Sequence, residues 1–264
     1  MPKFLGMVNR EFTLKTYAEL FRAQNLDIIL RTLVMSAAVT IGCAIIAFPI
    51  AYFAARFARG KWKAVFYLGV MLPLWSSYLV KVYAWKLILA KEGIITWAAD
   101  SVGLGFLLDA VLALPGVGGN SLSTSFIGTW LVFVYVWLPY MILPMQASLE
   151  RVPVSMLEAS SDLGAKPWPT FLQITLPLSI PGIATGCMLV FILLMGEYLI
   201  PAILGGGKVF FVGNALVDLF LQSRNWAFGS AVAVTLIVVM LATVTVYMRF
   251  MARLSANRDD VSLI

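Results

Sequence analysis

Histidine is absent from this 264-residue chain, which excludes His-based catalysis and His-ligated metal sites. Cysteine is nearly absent too. Cys43 and Cys187 both fall inside apolar runs, so they read as packing residues, and no disulfide or metal framework follows. Charge is scarce: 12% of residues are charged, against about 25% in soluble domains. No apolar core precedes residue 26, so no signal peptide is expected. What is present instead is apolar. The chain is 61% hydrophobic with a mean hydropathy of +0.92, the composition of a polytopic membrane protein. Its net charge of +6 is modest, and in such a protein it marks cytoplasmic loops rather than nucleic-acid binding.

Five apolar stretches, about 28–53, 65–89, 124–149, 183–204 and 228–250, meet the roughly 20 residues needed to cross a bilayer. Ser36, Thr40 and Ala44 give the first a face of small residues for close helix packing. Pro73 is expected to kink the second, whose outer half carries Trp75, Tyr78, Tyr83 and Trp85. The link between these two spans holds Arg56, Arg59, Lys61 and Lys63 and no acid, which places it in the cytoplasm. The inner loops and tail then hold nine Lys or Arg, and the two external loops hold three. Residues 1–27 form an external segment, with a short helix starting near Phe12 and capped by Thr13. Residues 91–123 are read as an external surface segment followed by a Pro-Gly turn. Residues 212–221 are read as a helix in the second external segment, and 255–264 as a cytoplasmic tail.

The loop 150–182 has internal order. Residues 154–165 can form a short helix with Val154, Leu157 and Leu163 as apolar anchors and Ser155, Ser160, Ser161 and Asp162 as its polar residues. Gly164 ends it, because glycine readily adopts positive φ. Pro167 and Pro169 prevent immediate continuation. The segment 171–178 leads back into the bilayer.

Glu158-Ala159, Gly164 and Ile174-x-Leu176-Pro177 match the spacing E-A-A-x3-G-x9-I-x-L-P, with Ser160 in place of the second alanine. This resembles the coupling loop of permease subunits in binding-protein-dependent ABC importers. Beyond the loop, Pro73-Leu-Trp-Ser-Ser-Tyr78 and Gly196-Glu197-Tyr198-Leu-Ile-Pro201 resemble helices of the spermidine/putrescine-type permeases. The resemblance implies an all-α type I ABC importer permease fold in the bacterial inner membrane. It assigns ATPase coupling to Glu158, Ala159, Ser160, Asp162, Leu163 and Gly164. It implies two ATP-binding subunits that hold ATP and magnesium, a second homologous permease subunit, an external substrate-binding protein and surrounding lipid. No cofactor, metal or nucleic acid is expected on this chain. The family has six spans and five are visible here. The N-terminal segment, external by this count, carries five basic residues including Arg31. The reading frame is therefore expected to extend upstream of Met1 and encode a further span.

For the substrate pathway, Glu197 is the only acid well inside a span, where burial is costly unless it faces a partner or an aqueous path. It is read as an attractor for a cationic substrate, as a partner for a Lys or Arg of the neighbouring subunit, or as a residue near the outer interface. Trp75, Tyr78, Trp137 and Tyr140 are read as cation–π positions on that route or as an interfacial aromatic belt. Lys81 and Lys86 are expected to snorkel to the outer surface. Gly205-Gly206-Gly207-Lys208 fails as a phosphate loop, because Ala202 and Val209 occupy the defining flanking positions. A passive channel or secondary transporter for small organic cations is the rival reading, and co-purification with an ATPase subunit separates the two. A membrane-embedded enzyme lacks convergent catalytic groups.

Overall fold

An apolar run in hydrocarbon cannot leave its backbone amides unpaired, so it closes into helix. The computed structural model describes residues 15–114, 119–207 and 209–261, and side chains to residue 253. The described residues form helices joined by turns and short links, with no strand. Thr13, the Pro115-Gly116 turn, Lys208, the Arg258 side chain and the last residues of the tail lie outside them.

Helix α1 (Lys15–Leu20) leads into α2 (Ala23–Arg56), followed by α3 (Lys61–Trp75) and α4 (Tyr78–Ile88). Two short outer helices follow, α5 (Ile94–Ser101) and α6 (Gly105–Leu112), and then the long α7 (Phe126–Glu150). The loop helix α8 (Val154–Asp162) precedes α9 (Pro167–Thr170), which runs through a π-type turn into α10 (Leu176–Met195). The outer pieces α11 (Leu199–Leu204) and α12 (Val212–Val217) come before α13 (Trp226–Val261).

Helices α2, α7 and α10 form the core, with α7 at its centre. Half of the most apolar window of α7 is buried, against 6% of that of α13. Close approach depends on small residues. The α2 seam is Ser36, Thr40, Cys43, Ala47 and Ala51, all buried, whereas Ala44, expected on that face, is only half-buried. The Thr40 hydroxyl on this seam bonds its own helix, donating to the Ser36 carbonyl at 2.7 Å.

Two of the expected spans are broken. The stretch 65–89 forms two helices that meet at 93° rather than one kinked span. Ser76 and Ser77 are extended (ψ 148° and 130°). The carbonyl freed at Pro73 is satisfied by Lys81 Nζ at 2.7 Å and Ser76 Oγ at 3.0 Å. Lys81 therefore turns back into the break instead of snorkelling outward. The expected 183–204 span is likewise divided. Its helix starts earlier, runs continuously over Pro167–Met195, and stops at Gly196 before α11 begins. Pro167 does not delay the helix: it occupies the first helical turn, where a missing N–H costs nothing.

The basic link between α2 and α3 and the α7–α8 junction lie at the same end of the bundle, joined by Arg56 Nη2 donating to the Val152 carbonyl at 3.3 Å. Single cysteines at Lys61 and Lys166 are therefore expected to share protection from an impermeant thiol reagent in intact cells. The native Cys43 and Cys187 lie within helices, one buried and one half-buried, and give little background. Labelling of either introduced cysteine from outside would reverse the assigned orientation.

Candidate functional site

The inner loop is built around a helix terminus. Helix α8 starts after Pro153 in extended conformation (ψ 132°) and ends at Leu163. Gly164 has φ +78°. Its N–H bonds the Ser161 carbonyl at 2.9 Å, and the Ala165 N–H bonds the Ser160 carbonyl at 3.1 Å. This pair of bonds is the Schellman arrangement, which satisfies the last helical carbonyls and reverses the chain.

The outward face of α8 is mixed apolar and acidic. Glu158, Ala159 and Asp162 are exposed, and neither acid forms an ion pair among the described residues. Val154 and Leu163 are not anchors: both are exposed, Leu163 to 89%, as are Met156 and Trp168. The anchoring residue is Ser160, 8% exposed, whose hydroxyl lies 2.7 Å from that of Thr170 in α9. Its hydroxyl, not merely its small size, thus fixes α8 to the base of α10. From there the aromatic rings continue inward. Trp168 stacks on Phe171 at 5.6 Å, and Phe171 meets Phe48 and Tyr52 of α2 edge-on at 5.7 and 5.9 Å. A displacement of α8 has a packed route into the spans.

At the outer end, the breaks in α3–α4 and α10–α11 come together. Glu197 is not within a helix but in the second break, where its Oε1 accepts the Leu199 N–H at 2.9 Å. Its carboxylate also interacts electrostatically with the buried Tyr78 hydroxyl. Residues that the sequence reading passed over hold this break. Gly213 of α12 lies against the carbonyls of Gly196 and Glu197, leaving no room for a Cβ. Asn214 Nδ2 donates to the Tyr198 carbonyl at 2.8 Å. The Val212 N–H donates to Thr32 Oγ1 of α2 at 3.0 Å. Buried Asn214 and Thr32 occupy the polar positions that break an otherwise apolar pattern, the one signal that could have found them. Of the other residues read as pathway positions, Trp137 and Tyr140 pack together at 5.4 Å. Trp137 is buried, whereas Trp75 is 76% exposed and joins neither pair. Among the described residues no cluster of three or more His, Cys, Asp or Glu could hold a metal.

The chain is thus a bundle of long apolar helices with discontinuous helices at one end and a capped, exposed helix at the other. Residues 47–259 match the family described as binding-protein-dependent transport system inner membrane component, and the chain belongs to that family. It is 50% identical over 256 residues to the inner membrane ABC transporter permease protein YdcU of Escherichia coli strain K12, covering 96% of this chain and 79% of that one. It is 35% identical over 237 residues to the spermidine/putrescine transport system permease protein PotB of Haemophilus influenzae, covering 90% of this chain and 79% of that one. The fold is shared with a bacterial alginate ABC transporter solved in complex with an alginate pentasaccharide-bound periplasmic protein, at a TM-score of 0.72 and 16% identity over 92% of this chain and 83% of that one. The chain is thus a multi-pass permease component of an ABC importer in the inner membrane, and ATP hydrolysis belongs to a separate subunit.

Proposed function

We propose that this permease takes up polyamines of the spermidine/putrescine kind, or a related small organic solute, delivered by an external substrate-binding protein. The observation that carries the substrate class is the 35% identity over 90% of the chain to a permease named for spermidine and putrescine. A second, homologous permease chain completes the pathway. Two ATP-binding subunits hold ATP and magnesium and close on nucleotide. Helix α8 docks on one of them through Val154, Met156, Glu158, Ala159, Asp162 and Leu163, and its displacement moves the spans between outward- and inward-open states. The reading is tested by uptake of labelled spermidine and putrescine into proteoliposomes holding the complete transporter and its binding protein. ATP-dependent, saturable uptake is expected. ATP hydrolysis stimulated by another solute class and not by amines would remove the substrate assignment and leave the permease standing.

Glu197 supplies negative charge for a cation in transit. Its capping bond to Leu199 needs only an acceptor oxygen, which glutamine also provides. Glu197→Gln therefore keeps the cap and removes the charge. Transport is expected to fall by about tenfold or more, since hydrogen bonds to charged groups contribute ~1.5–3 kcal/mol. Ligand binding to the soluble partner stays unchanged. A fully active Gln variant would reduce Glu197 to a helix cap.

A further inference from the structure

Glu150, the last residue of α7, is the only acid between Asp109 and Glu158. A single oxygen, Oε1, accepts from three donors. Lys63 Nζ lies at 3.0 Å, the Tyr67 hydroxyl at 3.1 Å and Gln146 Nε2 at 3.0 Å. Lys63 and Tyr67 are one turn apart on α3, so both reach the same point. Lys63 belongs to the basic link that contains no acid of its own. Two residues past Glu150, the Val152 carbonyl takes the Arg56 guanidinium from the end of α2. The inner ends of α2, α3 and α7 are therefore tied together at the residues that lead into α8.

The other side of this end of α7 is held differently. Gly182 of α10 packs directly on the Pro144 carbonyl and the Ser148 side chain, a contact that cannot loosen without opening the core. The Glu150 tie is of another kind. Its ion pair is partly solvated, with Lys63 and Glu150 side chains 39% and 28% exposed, so it adds little to stability. It also leaves capacity unused: Gln146 Oε1 and Arg56 Nε are both buried without a partner. An unmatched acceptor and an unmatched donor at one junction allow a second arrangement of the helix ends. A tie that is cheap to break, beside groups able to re-pair, suits a boundary that moves.

We infer that Glu150 is a positioning residue: it holds the inner end of α3 against α7 in the resting transporter and releases it when α8 is displaced. The inference rests on the reading of α8 as the ATPase-docking helix. Its loss would let the ATPase subunits close without substrate. In the reconstituted complete transporter, Glu150→Gln is expected to raise substrate-independent ATP hydrolysis and to lower solute moved per ATP. The change in that ratio should be about fivefold or more, the lower range of coupling between sites. Lys63→Glu should do the same, and the exchange Lys63→Glu with Glu150→Lys should restore the ratio. A wild-type ratio in both single variants overturns the inference, as does an exchange no better than either single change. Lys63→Cys with Glu150→Cys provides a second readout. Bridging by a short bifunctional thiol reagent should stop transport until the bridge is reduced, and undiminished transport by the bridged protein overturns it equally. The α8 reading is checked separately through Gly164. If Gly164→Val transports normally, that reading fails; if Gly164→Val is inactive while the Glu150 variants are normal, only this inference fails.

Discussion

Replacing Gly164 with valine is expected to abolish transport and substrate-stimulated ATP hydrolysis while the subunit still inserts into the membrane. The residue sits at φ +78°, where a β-branched side chain is strongly disfavoured. Forcing it there costs of order 1–3 kcal/mol, and the cheaper outcome is to lose the two bonds that reverse the chain after α8. A Cβ at this position would meet nothing within 4 Å, so the penalty lies in the backbone and not in a clash. That separates the variants. Asparagine tolerates the left-handed region, and Gly164→Asn should retain most transport; alanine should fall between. The measurement is transport and ATP hydrolysis in proteoliposomes at matched membrane levels. Equal activity of the Val and Asn variants would remove the turn from the coupling mechanism.

Gly182→Leu is expected to deplete the folded subunit severely. Here the surrounding space decides and φ does not. A Cβ on Gly182 would press on the Pro144 carbonyl and the Ser148 side chain, and one on Gly186 would meet Met141 Sδ at 2.6 Å and its carbonyl at 3.2 Å. Backbone cannot yield as a side-chain tip can, so α10 must separate from α7 along its length. Overpacking typically costs ~1–3 kcal/mol and sometimes more, and α7–α10 is a central contact of the core. Membrane levels and the detergent unfolding temperature should both fall sharply. Gly69, on α3, has open space around its Cβ. Gly69→Ala should be tolerated or slightly stabilising, by up to about 1 kcal/mol from helix propensity. If Gly69→Ala proved as damaging as Gly182→Leu, general sensitivity of the subunit would replace packing as the explanation.

The features legible in the sequence are those set by local chemistry. Runs too apolar for water and too long for a soluble core become helices, whatever their neighbours, though not always unbroken spans. The basic link from Arg56 to Lys63 needs only a count. Gly164 followed by Pro167 and Pro169 announces a helix stop because backbone conformation at these residues is intrinsic to them. The π-type turn and the start at Pro167 of the helix that runs through α9 into α10 have no such plain signal, although Pro167 at a first helical turn is itself a local one.

Tertiary structure alone decided which apolar residues are buried. In water, periodicity separates core from surface, but in a bilayer both faces of a helix are apolar, so α7 and α13 look alike though one is central and the other peripheral. Val154 and Leu163 look like anchors for another reason: apolar side chains in a loop helix suggest burial, yet both are exposed in this chain. The other decisions join residues far apart in the chain. Ser160 meets Thr170, Thr32 meets Val212, and Glu150 meets Lys63 and Tyr67. Pro73 foretold a disturbance, but the 93° turn depends on Lys81 and Ser76 being placed to take the freed carbonyl. A hydrogen bond across the fold leaves no pattern within either segment, since each donor and acceptor has local alternatives. Only the packing of α2, α3, α7, α10 and α12 selects among them.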